Sequence, residues 1–376
     1  MKYDGLIVGA GIAGAASARI LAEQGKKVLV IEKNDFVGGN CYDELDSSGI
    51  TFHRFGPHIF HTNNQTVWNF VNRFTEFRFY QHTVKSFVDG MFVTFPINRD
   101  TICELFGAEI TTDEVNSFLE GEVQVSQYNK PPENFRDAIV SQVGERLYEK
   151  FFKNYTIKQW DEDPENLSSE LAGRIPVRQN RDGRYFTDKY QGIPVNGYTH
   201  MIKNMLDHPD IELKLGVDYF SEIEFYDKKF EFTVYTGPLD LYFDNCFGPL
   251  QYRSVRFDFK KFPMTYYQPV SVVNYPNDYD FTRITEFKYM TGEESDQTVV
   301  CFEYPSMEGI PSYVVLTSDN LKIRDKYQKK AFLLENENKV YFIGRLAEYK
   351  YYNMDQVIAS VMDKFSHQDK KVVEIN

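Results

Sequence analysis

Hydrophobic positions near the start of the chain predict a strand, a helix and a second strand. Residues 3–8 (YDGLIV) and 27–32 (KVLVIE) are short apolar runs rich in β-branched residues, which is typical of buried strands. The stretch between them is rich in alanine and leucine and closes at Gly25, as helices commonly do. A βαβ unit of this kind implies a parallel sheet with a right-handed crossover.

A related layout occurs at the other end of the chain. VYFIG, at 340–344, predicts a buried strand, and MDQVIASVMDKF, at 354–365, has the apolar spacing of a helix. Between the two ends, the patterns from 98 to 173 are helical, whereas strands dominate from about 180 to 300. A chain that begins and ends with such units is expected to close one nucleotide-binding domain from both termini.

We therefore predict an α/β fold in which a Rossmann-like nucleotide-binding domain is interrupted by a helical insertion and an antiparallel β-sheet domain. The predicted boundaries are 1–75, 195–245 and 315–376 for the nucleotide-binding domain, 98–178 for the insertion, and 76–97, 179–194 and 246–314 for the antiparallel sheet. Residues 77–95 alternate around Asp89-Gly90, which predicts a hairpin. Glycines and prolines near 173–185 predict a mobile loop.

Composition disfavours several classes of partner. The 376 residues suggest two or three domains, and 42 Lys+Arg against 55 Asp+Glu leave a net charge of −13. With no run of basic residues, neither nucleic acid nor an anionic membrane is expected as the main partner. No apolar run approaches about 18 residues, so we expect no membrane insertion, and the N-terminus leaves no room for a signal peptide. The four cysteines form no CxxC pair: Cys41, Cys103, Cys246 and Cys301. We therefore expect neither a zinc site nor a disulfide framework, and we expect a reducing cytoplasm as the location.

The first chemical motif is a G-x-G-x-x-G between the first strand and the first helix, formed by Gly9, Gly11 and Gly14. The first glycine permits a tight turn, the second lets a pyrophosphate approach the backbone, and the third lets the helix pack closely on the strand. Glu32 ends the second strand, where a carboxylate accepts hydrogen bonds from ribose hydroxyls. A glycine turn used only for packing would not explain Glu32, so we predict a dinucleotide site.

A second glycine pair, Gly38-Gly39, follows Glu32 closely. It resembles the turn of glutathione-reductase-type flavoproteins, which favours FAD over NAD, although a plain turn is the alternative. The predicted cofactor-binding residues of this region are Gly9, Gly11, Ala13, Gly14, Glu32, Lys33, Gly39 and Asn40.

Histidines cluster in HRFGPHIFHT, residues 53–62, where His58 and His61 are three residues apart. A metal site would need a further cysteine or carboxylate at suitable spacing, and none is evident nearby, so we predict no metal. Two interpretations stay open. The imidazoles could be ordinary core residues, or they could lie beside a flavin and hydrogen-bond its ring or the substrate.

Arginines and aromatic residues recur from residue 155 onward. Arginine offers forked donors for phosphate oxygens, and aromatic side chains offer flat faces for a base. Aromatic residues make up 16% of the chain, so most belong to the core and no single one identifies a site. The candidates are Tyr155, Trp160, Arg174, Arg178, Tyr185, Arg253, Arg283, Tyr313, Arg345, Tyr349, Tyr351 and Asn353.

Taken together, these segments resemble the bacterial UDP-galactopyranose mutase family over essentially the whole chain. The most specific are RYFTDKYQGIPVNGYT, at 184–199, and GRLAEYKYY, at 344–352. The resemblance implies a cytoplasmic, usually homodimeric FAD enzyme. It would interconvert the pyranose and furanose forms of a nucleotide-diphosphate sugar, with UDP-galactose first among the candidates, for cell-surface glycan synthesis.

The family's chemistry uses reduced flavin without a net redox change. The resemblance implies that flavin N5 forms an adduct with the sugar, and that the expelled diphosphate returns once the ring has changed size. It also implies NAD(P)H or another reductant as a partner. The protein would have to hold the diphosphate, orient the sugar and exclude water.

The resemblance assigns roles position by position. It implies that Arg174, Arg283, His58 and His61 are catalytic, the two arginines through the diphosphate and the two histidines beside the flavin. The implied substrate-binding residues are Tyr155, Trp160, Arg174, Tyr185, Arg253, Arg283, Tyr313, Tyr351 and Asn353. The implied cofactor contacts further along the chain are His58, Arg345 and Asn353.

Three departures from the family pattern bear on the substrate. Asn353 stands where the family usually has a carboxylate, Pro57 replaces the usual alanine, and residues 311–315 read PSYVV. The alternatives are therefore the same chemistry on dTDP-fucose or UDP-N-acetylgalactosamine, a conventional flavin oxidoreductase, or a flavoprotein that binds nucleotide sugars without catalysis.

Overall fold

The computed structural model describes residues 2–222, 226, 229–337 and 339–366. In these residues the strands β1 to β17 are, in chain order, Gly5–Val8, Val28–Glu32, Asp43–Leu45, Thr51–His53, Phe60–Thr62, Phe77–Phe79, Val84–Val88, Met91–Phe95, Tyr190–Pro194, Ile211–Leu215, Phe232–Tyr235, Tyr252–Phe262, Val272–Asn274, Arg283–Glu286, Thr298–Ser306, Tyr313–Val314 and Val340–Phe342. The helices α1 to α11 are Ile12–Glu23, Gln65–Val71, Arg99–Phe106, Thr112–Val125, Phe135–Tyr148, Asn154–Trp160, Gly197–Leu206, Leu239–Tyr242, Lys288–Thr291, Ser318–Asn336 and Met354–Ser366.

A five-stranded parallel sheet is built from both ends of the chain and from its middle. Its order is β10-β2-β1-β11-β17, and every pair in it is parallel. All five residues of β2 are buried, as expected for a parallel strand covered on both faces. Helices α1, α2, α7 and α11 contribute to a shared core on one face through Leu21, Val67, Met201 and Ile358. The predicted Rossmann-like α/β architecture is confirmed.

A seven-stranded sheet forms the second layer, in the order β16-β12-β15-β14-β13-β7-β8. Its pairs are antiparallel except for β13 with β7. The parallel pair joins strands that lie far apart in sequence, so no hairpin connects them. The sheet is therefore mixed, whereas the sequence predicted an antiparallel one.

The hairpin predicted around Asp89-Gly90 is confirmed, since β7 and β8 pair from Val84 with Phe95 to Val88 with Met91. The prediction was wrong for the first residues of its range. Strand β6 pairs instead with β9 in a three-stranded sheet with β5. Alternation alone does not say which strand a segment pairs with, because the partner is set by the tertiary structure.

Helices α3 to α6 follow one another between β8 and β9, as the helical patterns predicted, and a kink divides α5. At the kink, Gly144 has φ 77° and ψ 169°, a conformation that is essentially restricted to glycine. A Cβ atom added there would lie 2.6 Å from the Glu122 carbonyl carbon of α4. The kink therefore allows α4 and α5 to pack with their backbones in close contact.

We expect Gly144→Ala to lower the free energy of unfolding by about 3 kcal/mol, because it adds both backbone strain and a steric clash. The matched control is Gly121→Ala in α4, where an added Cβ would meet no atom within 4 Å. That control should be neutral or stabilising by up to about 1 kcal/mol. Urea unfolding of both variants measures the difference, and equal values would contradict the role assigned to the kink.

Candidate functional site

The turn between β1 and α1 has glycines where other residues would clash. Gly9 has φ 104°, and a Cβ there would lie 2.2 Å from Thr236 Oγ1. A Cβ on Gly14 would lie 1.9 Å from the Gly9 carbonyl oxygen. Gly11 is the N-cap of α1, and no side chain of the described residues caps this helix. Its first backbone N–H groups are therefore available to an anion.

A second glycine turn packs against the first. The Gly38 N–H donates to the Ala10 carbonyl oxygen at 2.9 Å, and Gly11 and Gly38 form a parallel bridge. Gly38 and Gly39 both have positive φ, 115° and 52°. A Cβ on Gly39 would lie 3.2 Å from Gly11 Cα. The two turns therefore form one backbone cradle, which larger side chains would fill.

The Glu32 carboxylate hydrogen-bonds to this cradle. The side chain is 5% exposed; Oε2 accepts from the Ala10 N–H at 2.8 Å, and Oε1 accepts from both nitrogens of Asn34 at 2.9 and 2.7 Å. A carboxylate can accept about four hydrogen bonds. Three are used within the protein, so one acceptor position remains for a ligand hydroxyl.

These groups line a cleft of about 380 Å³ at the carboxyl edge of the parallel sheet. Ten of the predicted cofactor-binding residues line it: Gly9, Gly11, Ala13, Glu32, Lys33, Gly39, Asn40, His58, Arg345 and Asn353. Gly14 does not line the cleft but packs against Gly9, which is the packing role that its position in the motif predicted. A glycine cradle, an uncapped helix N-terminus and a partly satisfied carboxylate together suit a dinucleotide.

Sequence analysis missed a second set of lining residues. They follow the carboxyl ends of β2, β10 and β11: Asn34, Phe36, Val217, Tyr219, Phe220, Thr236, Gly237 and Pro238. A signal for them existed, because ligands of open α/β sheets bind beyond the carboxyl ends of the strands. That rule requires the strand order, which the sequence did not reveal for β10 and β11.

Arg345 lies between this cleft and an aromatic cluster. Its guanidinium donates to the Ser312 carbonyl oxygen at 3.0 Å and to the Tyr352 carbonyl oxygen at 2.6 and 3.1 Å. Its Cζ lies 5.1 Å from the ring centre of Tyr351 and 5.7 Å from that of Tyr313. The two tyrosine rings stack at 5.8 Å. One arginine therefore supports both the cleft wall and the neighbouring rings.

An ion pair with a buried carboxylate lies beside these rings. Arg283 Nε donates to Glu303 Oε2 at 2.7 Å, and Arg283 Nη2 donates to Tyr313 Oη at 3.4 Å. The Glu303 side chain is 1% exposed and also accepts from Thr285 Oγ1 at 2.9 Å. Burial alone would lower the pKa of Arg283, but the Glu303 carboxylate raises it well above its usual range. The guanidinium is therefore a permanent cation.

Aromatic side chains surround this cation. Trp160 meets Tyr313 at 6.1 Å and Tyr351 at 6.0 Å between ring centres. Burial raises the pKa of Tyr155 and of Tyr313, although Arg283 opposes the shift in both. The two phenols are neutral at pH 7 and can donate hydrogen bonds. A cation and neutral phenols together suit a phosphate group.

The predicted residues His61 and Tyr185 meet at a stack of rings. His61 stacks on Phe186 at 3.7 Å and hydrogen-bonds Asp188 Oδ2 through Nδ1 at 2.9 Å. His82 also stacks with Phe186, at 6.0 Å between ring centres, and meets Tyr185 edge-on at 5.6 Å. The Tyr185 N–H donates to the His82 carbonyl oxygen at 2.7 Å.

Sequence reasoning missed Glu303, Phe186 and His82. Glu303 had a signal, since a carboxylate within the apolar run VVCFEY is costly unless a cation pairs with it. His82 had none, because its neighbours along the chain are not its neighbours in the fold.

His58 is held in a defined tautomer. Its backbone N–H donates to His53 Nδ1 at 3.0 Å, and its own Nδ1 lies 2.9 Å from the Gly56 carbonyl oxygen. A carbonyl can only accept, so the proton is on Nδ1 of His58 and Nε2 is an acceptor. Burial lowers the pKa of His58 and of His53 to about 3, so both rings are neutral at pH 7.

The Arg253 side chain is engaged by a helix. Arg253 is 4% exposed and donates to the carbonyl oxygens of Gln159 at 3.1 Å and Lys158 at 3.3 Å, so it caps the end of α6. The backbone of Arg174 ends the short helix Ser169–Arg174, but its side chain lies outside the described residues. Contacts of Arg253 and Arg174 with substrate stay predictions.

The described residues offer neither a metal cluster nor a membrane span. They contain no group of three or more His, Cys, Asp or Glu side chains placed to hold a metal ion. Among the same residues, no helix has both the length and the apolar character needed to cross a membrane.

The chain is similar to known proteins in both sequence and structure. A family model described as UDP-galactopyranose mutase matches residues 150–351, and one described as NAD(P)-binding Rossmann-like domain matches residues 7–74. A probable UDP-galactopyranose mutase of Klebsiella pneumoniae is 39% identical over 95% of this chain and 92% of its own. The dTDP-fucopyranose mutase of Escherichia coli is 38% identical over 95% and 96%. A crystal structure of reduced UDP-galactopyranose mutase superposes with a TM-score of 0.77 over 100% of this chain and 96% of that chain, at 17% identity.

We expect Gly11→Ala to weaken FAD binding by about tenfold or more, because a Cβ in the cradle would stand where the pyrophosphate approaches the backbone. Gly11 has φ −76°, and its Cβ would meet no protein atom closer than 3.8 Å, so the fold should persist. Bound FAD is measured by absorbance after gel filtration. Gly121→Ala is the control, and a variant that keeps the full FAD content would contradict the cradle.

Buried neutral histidines predict an acid-sensitive fold. Burial, with Arg283 and His61 nearby, lowers the pKa of His82 from 6.5 to about 3. The unfolded chain binds this proton below pH 6.5 and the folded chain does not. The contribution of the neutral His82 ring to the free energy of unfolding is therefore fully present above pH 6.5, and it is lost as the pH decreases toward 3. Between pH 7 and 5 the loss should be about 2 kcal/mol for this residue.

His82→Gln should remove that part of the pH dependence, whereas the exposed His200→Gln should leave it unchanged. Urea unfolding at both pH values, with FAD in excess, provides the comparison. If His82→Gln retains the wild-type slope, His82 is not the neutral buried group inferred here.

Proposed function

This chain belongs to the UDP-galactopyranose mutase family, and from that premise we propose that it converts UDP-galactopyranose to UDP-galactofuranose. As a member of the family it is an isomerase that acts on a nucleotide sugar with FAD in its reduced form. One observation carries the proposal beyond membership. The permanent Arg283 cation lies among neutral phenols in a cluster that Arg345 joins to the dinucleotide cleft.

In the proposed site, Arg283 binds the diphosphate while it is the leaving group and again when it returns. Tyr313 lies within hydrogen-bonding distance of this guanidinium and, as a neutral phenol, donates to a phosphate oxygen. Arg174, Tyr185 and Tyr351 are proposed to complete the diphosphate contacts. Interactions of ionised groups with phosphate are stronger than neutral ones, so they fix the position of the sugar.

Tyr155 and Trp160 are proposed to hold the uracil end, with Arg253 keeping their helix in place. Both residues belong to α6, and Arg253 hydrogen-bonds the last carbonyl groups of that helix. Flat aromatic faces suit a base, whichever pyrimidine it is. This part of the site therefore fits UDP and dTDP equally.

When bound, reduced FAD would supply an electron-rich, nucleophilic centre for the sugar. The protein's task on that side is to orient the ring system and to exclude water. His58 is proposed to accept a hydrogen bond at Nε2, because its Nδ1 proton is engaged by Gly56. His61 is proposed to assist from its stack on Phe186, and Asn353 to contact both ligands from the start of α11.

The domain division is also part of the proposal. Residues 1–75, 195–245 and 315–376 would bind FAD, 98–178 would carry the helical part of the substrate site and the mobile loop near 173–185, and 76–97, 179–194 and 246–314 would form the sheet domain. Segments of all three parts of the first group meet in the parallel sheet, which supports this division. We further propose a cytoplasmic homodimer, reduced by NAD(P)H or another donor, that serves cell-surface polysaccharide synthesis.

A second candidate substrate is dTDP-fucopyranose. The similarity to the Escherichia coli dTDP-fucopyranose mutase is nearly as high as that to the Klebsiella protein.

The test is chromatography of UDP-galactose, UDP-N-acetylgalactosamine and dTDP-fucose after incubation with dithionite-reduced or oxidised protein. We expect UDP-galactofuranose to form from UDP-galactose, and only with the reduced protein. If only dTDP-fucose gives a product, dTDP-fucose replaces UDP-galactose as the proposed substrate. If no sugar isomerises while the FAD-loaded protein binds UDP, a binding protein without catalysis replaces the mutase.

Arg283→Ala should lower kcat/KM by about 10- to 150-fold, which corresponds to about 1.5–3 kcal/mol for a lost contact between ionised groups. The control is Arg256→Ala, on an exposed part of β12, where the guanidinium lies 4.0 Å from the Tyr304 ring centre. Unchanged turnover and affinity in Arg283→Ala would exclude this residue from diphosphate binding.

A further inference from the structure

The ammonium group of Lys158 lies in a cage of backbone carbonyl groups. Nζ donates to the carbonyl oxygens of Tyr275 at 2.6 Å, Tyr279 at 2.9 Å and Phe281 at 3.1 Å. Its three donors are therefore all engaged. Lys158 belongs to α6, whereas the carbonyl groups belong to the turn between β13 and β14.

A second contact ties the same two parts together. Asn154, the first residue of α6, donates from Nδ2 to Asn277 Oδ1 at 2.8 Å. Asn277 donates in turn from Nδ2 to the Lys150 carbonyl oxygen at 3.0 Å. The turn is closed by the Tyr275 N–H, which donates to the Thr282 carbonyl oxygen at 2.8 Å. Two sets of polar contacts, one at Asn154 and one at Lys158, therefore join the helix to the turn.

These contacts set the distance between two sides of the proposed substrate site. Helix α6 carries Tyr155 and Trp160, and β14 begins with Arg283, two residues after the last carbonyl that Lys158 contacts. A small change in the turn would shift the Arg283 backbone relative to the aromatic side chains on the helix. The ion pair with Glu303 fixes the guanidinium on the sheet, and Arg253 holds the carboxyl end of the helix. Lys158 ties the same helix to the turn that leads into β14.

Lys158 is charged at neutral pH, as this contact requires. Burial lowers its pKa from 10.5 to about 8, and the carboxylates of Asp278 and Asp280 on the same turn oppose the shift. At pH 7 the side chain is an ammonium ion with three hydrogens. A neutral side chain of similar length, such as methionine, would leave three carbonyl groups without this donor.

We propose that Lys158 is a positioning residue for the nucleotide-diphosphate sugar, which it serves by holding the uracil-side helix α6 at a set distance from Arg283. The proposal rests on the proposed function, because it assumes that α6 and Arg283 contact the same ligand. It does not require Lys158 to touch the substrate. Its loss should therefore weaken binding of the nucleotide without removing FAD.

The test compares Lys158→Met with Lys153→Met in the FAD-loaded protein. Lys153 lies five residues earlier, and its side chain is 44% exposed and pairs only weakly, with Glu149 at the surface. The dissociation constant of UDP is measured by calorimetry, and kcat and KM by chromatography with reduced protein. We expect Lys158→Met to raise the UDP dissociation constant and KM by about tenfold, with kcat and FAD content changed by less than about threefold.

Asn154→Ala is a milder variant that weakens the same junction and should raise both constants by about two- to threefold. Lys153→Met should behave as wild type. The proposal is overturned if Lys158→Met binds UDP as wild type does, or if it loses FAD and UDP affinity together, as a merely destabilised protein would. If Lys158→Met does not fold, unchanged UDP affinity in Asn154→Ala overturns it.

UDP binding needs no turnover, so these outcomes are separate from the fate of the mutase proposal. If the wild-type protein binds UDP but isomerises no sugar, the catalytic proposal is wrong. The effect of Lys158→Met on UDP affinity can still be measured.

Discussion

The cleft depends on direct backbone contact between two glycine turns. Gly11 and Gly39 approach so closely that a side chain on either would fill the space a ligand needs, and the Gly38 N–H to Ala10 hydrogen bond holds the turns together. Glu32 then completes the arrangement from the end of β2, by accepting from the Ala10 N–H. This part of the cleft wall is therefore backbone, whose N–H groups and helix terminus attract a pyrophosphate.

A buried carboxylate organises the neighbouring cluster in the same way. Glu303, which is 1% exposed, would be costly without a cation, and Arg283 meets that need at 2.7 Å. Since Thr285 also donates to this carboxylate, the arginine is held in place before any ligand binds. Arg345 connects the cluster to the cleft, so the two ligands of a flavin-dependent mutase would meet at one shared wall.

Much of the dinucleotide site was predictable from local sequence. The glycine motif, Glu32 and the second glycine pair are close in sequence and act through the conformation of their own turns. Spacing pointed to the motif and Glu32, and resemblance to a flavoprotein turn pointed to the second pair. The lining residues around Val217 and Thr236 were not predictable, because their strands enter the sheet from distant segments. Likewise, nothing in QHTVKS indicated that His82 would lie beside Tyr185, since that contact links separate strands and loops.

The sequence by itself determined the βαβ unit, the hairpin at Asp89-Gly90 and the family resemblance, because local periodicity, turn chemistry and long matching segments each reside in contiguous residues. Tertiary structure alone decided which arginine serves which purpose. Arg283 pairs with the buried Glu303 carboxylate, whereas Arg253, an equally plausible candidate from the sequence, caps α6. The physical reason is that an arginine's role follows from the acceptors that the fold places around it, and those acceptors come from residues far away along the chain.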